Sequence, residues 1–121
     1  MDEQTVREHA QALCDALVAG DIDRAIESFS AELRRNLGEV LALLPLPSND
    51  ASVESVDLGG ASYVVVLRLA GEIDEVLIQT RWKERDGRPT IVEASHLSRT
   101  EMVAQTGEAG GEGDDEAEDP A

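Results

Sequence analysis

The sequence ALVAGDIDRAIESF at residues 16–29 predicts a corner at which one amphipathic helix ends and the next begins. Gly20 can adopt the left-handed backbone conformation that closes a helix. Asp21 is a preferred N-cap residue, because its carboxylate accepts hydrogen bonds from the free amides that open the following helix. We therefore expect the corner to form one apolar face for later strands to cover. That face combines Leu13, Leu17, Ile22, Ile26 and Phe29.

The residues before and after this corner have the 3.6-residue period of helices with one buried face. A first helix is expected from Asp2 to Ala19 and a second over residues 22–29. Ser30 is suited to cap a third helix, which extends to Leu44 and is open to a break at Gly38. The apolar positions are Val6, Ala10, Leu13, Cys14 and Leu17 in the first helix, and Leu33, Leu37, Val40, Leu41 and Leu44 in the third.

Beyond the proline-containing segment at residues 45–50, the apolar period changes from 3.6 to 2, which is typical of strands. Strands are predicted at residues 52–58, 62–70, 75–85 and 90–97, and the second is apolar on both faces. Asp86-Gly87 is a hairpin signal. Helices followed by a four-strand meander predict an α+β fold, with N-terminal helices packed on a curved antiparallel sheet of about four strands.

Length and charge indicate one domain followed by an acidic segment. The chain of 121 residues carries 26 acids and 10 bases, for a net charge of −16. Residues 107–121 hold seven of the acids and no base. Such a composition cannot bury enough apolar surface to offset chain entropy. We expect a single α+β domain over residues 1–106 and a disordered acidic tail over residues 107–121.

The same composition argues against several classes of function. An acidic surface repels a phosphate backbone and an anionic membrane, so we expect no nucleic-acid and no membrane partner. The start of the chain has no signal-peptide pattern, and a cytoplasmic location is expected. Two distant histidines and one cysteine do not form a metal-ligand pattern, and no phosphate-binding glycine motif is present. We therefore expect no metal and no cofactor, and Cys14 to be a small core residue rather than a nucleophile.

The corner at residues 16–29 resembles the junction of the first two helices in the nuclear transport factor 2-like superfamily. This superfamily shares a cone-shaped, cystatin-like fold and includes ketosteroid isomerases and SnoaL-like cyclases. Residues 81–87, RWKERDG, followed by Ile91 and Val92, resemble its penultimate hairpin. The likeness spans roughly residues 4–98 and implies a cone with an apolar interior and frequent dimerisation.

The resemblance also argues against isomerase chemistry. The position that holds the oxyanion tyrosine in ketosteroid isomerases is Leu13 in this chain, and the position of the protonated acid is Thr80. The strand that carries the general base is replaced by the predicted helix at residues 30–44. All three catalytic positions therefore lack the required side chain.

The candidate site is the interior of the cone. His96 lies in or at its mouth if it shares a strand face with Ile78, and an imidazole there can orient a ligand or act as a base. Its alternative is a half-buried structural role, while His9 on the first helix is expected to be solvated. Trp82 is either core or a pocket wall. The expected cavity lining is Leu13, Leu17, Phe29, Val65, Leu67, Ile78, Trp82 and His96.

The opposite face of the third strand carries Arg81, Lys83 and Arg85, a positive stripe on an acidic molecule. Three acidic groups could pair with this stripe: Glu93 on the paired strand, a dimer mate, or the acidic tail of the chain itself. Docking of the tail is expected to be loose, because exposed ion pairs are weak and are screened by salt.

Three functions follow as hypotheses. The first is non-enzymatic binding of a small apolar ligand or a protein partner by a homodimer, which associates through the outer sheet face bearing Val64, Val66 and Leu77. The second is an enzyme of cyclase, isomerase or hydrolase type with His96 as base. The third is an interaction protein whose acidic tail engages a basic partner.

Overall fold

In the computed structural model, residues 1–101 are described, and residues 102–121 lie outside the described part. The predicted acidic tail and the last residues of the predicted domain fall in that outer part. Helices occupy the first half of the described chain and strands the second. The helices are α1 Glu3–Ala19, α2 Ile22–Ala25, α3 Ala31–Arg35 and α4 Leu37–Leu41, with a 3₁₀ turn at Ile26–Ser28, and the strands are β1 Asp50–Gly59, β2 Ser62–Ala70, β3 Asp74–Arg85 and β4 Arg88–Glu101.

The helix corner forms as its sequence predicts. Gly20 has φ +76°, in the left-handed region, and the Asp21 amide donates to the Ala16 carbonyl at 2.9 Å. The Asp21 carboxylate then accepts from the Arg24 amide at 3.1 Å and so caps α2. The left-handed residue and the side-chain cap both depend only on residues a few positions apart, which is why the sequence pattern predicts them.

The second helix is shorter than predicted, because Phe29 forms a bridge with the sheet instead. Its backbone is extended, with φ −83° and ψ 141°, and it bridges Ile91 of β4. The Ser30 amide also donates to the Ile91 carbonyl, at 2.9 Å. Helical geometry therefore ends at Ser28, and the expectation of a helix through Phe29 is corrected by a contact that is distant in sequence.

The third helix is divided, but at Asn36 rather than at Gly38. Asn36 has φ −112° and ψ 35°, which is outside the helical region, and its Nδ2 donates to the Glu32 carbonyl at 3.2 Å. A short amide side chain competes with the backbone for hydrogen bonds and so interrupts helices. The second piece also ends at Leu41 rather than Leu44.

The strands form one antiparallel meander in the order β1-β2-β3-β4. β2 has its predicted bounds, and the Asp86-Gly87 turn has positive φ at both residues, 54° and 79°, as a tight hairpin requires. β4 extends beyond the predicted residues 90–97 because β3 offers partners along its whole length, from Arg85 opposite Arg88 to Asp74 opposite Glu101. Register shifts in β1–β2 and β3–β4 add the bulges that curve a sheet.

The core lies between α1 and the inner face of the sheet. Cys14 is fully buried there, as its place in the apolar pattern predicts, and burial raises the pKa of its thiol to about 12. Across residues 1–101, none of the helices is long and apolar enough to cross a membrane. The core side chains include Val6, Ala10, Leu13, Cys14 and Leu17 from α1, and Val65, Leu67, Leu69, Val76, Ile78, Trp82 and Ile91 from the sheet.

Candidate functional site

The interior of the cone is almost completely filled by its own side chains. A cavity of about 20 Å³ remains at its centre, which is room for about one water molecule. Five of the predicted lining residues meet in its wall: Leu13, Leu17, Phe29, Leu67 and Ile78. Val40, Leu44, Thr80, Ile91 and Ala94 complete the wall. Small-molecule sites enclose roughly 300–1,000 Å³, so this cavity is far smaller than a ligand pocket.

Trp82 belongs to the core rather than to the wall of this cavity. Its indole is fully buried, and Nε1 donates to the Thr80 hydroxyl at 2.8 Å. That hydroxyl donates in turn to the Val65 carbonyl at 2.8 Å. Val65 is likewise buried without lining the cavity. The polar edge of the indole is thus satisfied inside the protein, which leaves it no free donor for a ligand.

His96 lies on the inner face at the mouth of the cone. It pairs with Ile78 across β3 and β4, as its predicted strand face requires, but its side chain is exposed and lies outside the central cavity. Nε2 is 2.5 Å from the Leu43 carbonyl oxygen. Because a carbonyl oxygen only accepts, Nε2 carries the hydrogen, and Nδ1 is the nitrogen left to accept a proton.

A second cavity, of about 260 Å³, opens beside His96. We call it the mouth cavity. Its polar side chains are His96, Asp74 and Arg99. Asp74 is buried at the start of β3, and its Oδ2 accepts from Arg99 Nε at 2.6 Å. The Arg99 side chain is about half exposed. The apolar part of the wall is formed by Ala42, Leu43, Leu44, Pro45 and Val76.

Sequence reasoning missed Asp74 and Arg99. Both fall outside the predicted strands, since β3 was expected to begin at residue 75 and β4 to end at residue 97. The sequence did show that an acid precedes the third predicted strand and that a base follows the fourth. In an antiparallel pair these two positions lie at the same edge of the sheet. With the true strand ends, Asp74 and Arg99 come onto the same inner face as His96.

The remaining candidates are resolved as follows. His9 is half-buried on α1, where a solvated side chain was expected, and it lines a separate cavity with Arg24 and Arg88. Arg81 donates to Ser62 Oγ at 2.7 Å and pairs with Glu93 at 3.4 Å. Glu93 was one of the three acidic docks proposed for the positive stripe.

Arg85 of that stripe pairs with Glu32 of α3 at 3.3 Å. The other proposed docks, a dimer mate and residues 107–121, lie outside what the structure describes. Within residues 1–101 there is no group of three or more histidine, cysteine or carboxylate side chains placed to hold a metal ion.

Comparison with known proteins establishes the fold. A scan against protein-family models found no match, and a search of curated proteins found none either. Among solved structures, the chain is similar to an NTF-2-like protein of unknown function from Burkholderia xenovorans LB400, with a TM-score of 0.55 and 16% identity. The match covers 82% of this chain and 84% of the other.

The fold is assigned from this likeness and from the architecture described above. The chain has the nuclear transport factor 2-like α+β fold, with N-terminal helices on a curved four-stranded antiparallel sheet. The resemblance noted in the helix corner and the β3–β4 hairpin is confirmed at the level of fold.

Proposed function

We propose that this chain is a non-enzymatic binding module that works as a homodimer, and that two copies associate through the outer face of the sheet. The observation that carries the proposal is a set of aliphatic side chains with no role in the core. Val64, Val66 and Leu77 are half-buried, yet they belong neither to the core nor to the shell of residues packed against it. Aliphatic surface left in this state favours a protein partner.

The charges on the outer face favour a second copy as that partner. Arg68 lies 2.5 Å from Asp50, 2.6 Å from Glu75 and 3.9 Å from Glu54, and Arg81 lies 3.4 Å from Glu93. These pairs neutralise the arginines within the face. Because Arg68 and Arg81 are paired within the chain, the face offers a partner apolar contact rather than unpaired arginines, and a second copy brings the same apolar strip.

The closed interior favours a protein partner over a small apolar ligand. A ligand at the predicted lining residues would have to displace core side chains, because the cavity holds only about 20 Å³. The outer face needs no such rearrangement. Of the two kinds of partner expected from the sequence, association between proteins thus has the stronger geometric support.

Oligomeric state is the direct test. We expect the wild-type chain to sediment or scatter light as a dimer of its 13.0 kDa subunit. Val66→Lys places an unpaired charge at the centre of the outer face and should give a monomer. Val18→Lys is the matched control, since Val18 is an exposed aliphatic residue on α1. A monomeric wild type, or a Val66→Lys variant that stays dimeric, contradicts the proposal.

A second candidate function, an enzyme with His96 as base, is favoured by the mouth cavity. Its volume of about 260 Å³ approaches that of small-molecule sites, and His96 Nδ1 is not used by the Leu43 contact. In an activity screen, His96→Gln would abolish turnover and His9→Gln would not. Activity that survives His96→Gln rules out this role. The third hypothesis, a basic partner for residues 107–121, concerns residues outside the described part.

A further inference from the structure

Four arginines surround one groove beneath the β3–β4 hairpin. The groove consists of two adjoining cavities, of about 320 and 220 Å³, which share Glu27 and Arg88. We call it the arginine groove. The arginines come from four elements or turns that are separate in sequence, so the fold gathers them: Arg24, Arg34, Arg85 and Arg88.

Most of these arginines have no carboxylate partner, although carboxylates are abundant. The chain carries 26 acids and 10 bases. Elsewhere in residues 1–101, Arg7, Arg68, Arg81 and Arg99 each pair with a carboxylate, whereas Arg35 and Lys83 do not. Within residues 1–101, no ion pair is formed by Arg24, Arg34 or Arg88. Unpaired arginines gathered at one groove are unexpected on so acidic a chain and indicate a site for an anion.

The Arg34 guanidinium is fixed in place without losing its charge. Nε donates to the Ile26 carbonyl at 3.1 Å, and Nη2 donates to the Glu27 carbonyl at 3.3 Å. Main-chain carbonyls orient the group but do not neutralise it. Nη1 makes no hydrogen bond with residues 1–101, and a preorganised guanidinium loses little side-chain entropy when it binds an anion.

Arg88 faces a like charge. It lies directly opposite Arg85 in the β3–β4 ladder, at the base of the hairpin. Like charges in this position destabilise a sheet. Glu32 offsets Arg85 at 3.3 Å, whereas the Arg88 side chain has no such contact among the described residues. Glu27 and Asp86 also line the groove, and the arginines outnumber them.

We propose that the arginine groove binds a small anion through a phosphate group. Guanidinium groups present their donors in planar forks that match phosphate oxygens, and four arginines line this solvent-open groove. The acidic residues 107–121 are the competing occupant. An occupant from that segment would have to return along β4, which leads away from the groove for 14 residues, from Arg88 to Glu101.

The test is titration of the ¹⁵N-labelled 121-residue chain with inorganic phosphate, at ionic strength held constant with sodium chloride. We expect saturable shifts of the amide and guanidinium signals of Arg34, Arg88 and their neighbours. Arg88→Gln should weaken phosphate binding by at least about tenfold, because it removes charge-assisted hydrogen bonds. Its side chain makes no described hydrogen bond, so the fold should tolerate the change.

Arg35→Gln is the matched control. Arg35 neighbours Arg34 on α3 and changes the net charge equally, but it does not line the groove. It should alter the affinity by less than about twofold, as expected for a screened surface charge. Arg24→Gln is a second groove variant, and a loss of phosphate affinity there supports the same site.

Three results would overturn the proposal. The first is the absence of saturable shifts, and the second is an Arg35→Gln variant that weakens binding as much as Arg88→Gln, which indicates a general charge effect. The third is phosphate binding that emerges only when the acids of residues 107–121 are changed to amides, since that result assigns the groove to the acidic segment of the chain.

Discussion

The two faces of β2 carry similar side chains but meet different surroundings. Val65 on the inner face is fully buried under α1, and its carbonyl accepts a hydrogen bond from Thr80. Val64 and Val66 on either side are half-buried and outside the core. Charged pairs such as Arg68–Glu75 lie around them. Side chains along a strand alternate between its two faces. The elements packed on each face therefore determine whether its valines stabilise the core or stay available to a partner.

Trp82→Ala should produce the largest loss of stability among single substitutions on the inner face. The indole is fully buried, and its removal leaves a cavity and deprives the Thr80 hydroxyl oxygen of the hydrogen bond donated by Nε1. We expect a loss of about 3–5 kcal/mol in the free energy of unfolding, measured by denaturant titration. A loss below about 1 kcal/mol would mean that the inner face is not the main source of stability.

Thr80→Val keeps the shape of the side chain and removes its hydroxyl. The Trp82 Nε1–H loses its acceptor and the Val65 carbonyl loses a donor, so two buried polar groups lose a partner. The expected loss is about 1–3 kcal/mol in the free energy of unfolding. Thr100→Val, on the exposed end of β4, is the control and should change stability very little. Equal effects of the two substitutions would remove the distinction between the faces.

The pH dependence of stability tests whether Cys14 is shielded from water on the inner face. Burial raises the pKa of its thiol from 9.0 to about 12 in the folded chain. Above pH 9 the unfolded chain loses the thiol proton while the folded chain retains it, so stability falls as pH rises. Between about pH 8.5 and 10, unfolding titrations should show a loss roughly 1 kcal/mol larger for the wild type than for Cys14→Ala. Parallel pH profiles for the two proteins would show that the thiol is accessible to water.

Val66→Ser should have the smallest effect on the fold itself. The side chain is half-buried outside the core, and we expect a loss of under about 1 kcal/mol in the stability of the monomer. Val65→Ser, one position away, should cost several times as much. Measurement of both by denaturant titration at dilute protein concentration compares the faces directly, and similar losses would contradict the comparison.

The sequence predicted the parts of the fold that depend on near neighbours along the chain. The Gly20–Asp21 corner, the bounds of β2 and the Asp86-Gly87 turn all follow from backbone preferences within a few residues. The break at Asn36 rather than Gly38 is a local error, whereas two others occurred where distant residues intervene. The Phe29 backbone is pulled into an extended form by Ile91, and β4 continues to Glu101 because β3 offers it partners.

The candidate site was predicted only in part, for the same reason. Leu13, Leu67 and Ile78 do meet, since the apolar period places each of them on an inward face. Asp74 and Arg99 were missed because their pairing depends on where two strands end. Polar contacts of this kind leave no local period in a sequence.

Local backbone chemistry and apolar periodicity were therefore sufficient for the class of fold and for the identity of the buried face. Only the tertiary structure decided that the cone is filled, with about 20 Å³ left inside it, and that four arginines line the groove beneath the hairpin. Packing volume and the pairing of charges depend on side chains far apart in sequence. They become defined only when helices and strands meet in three dimensions.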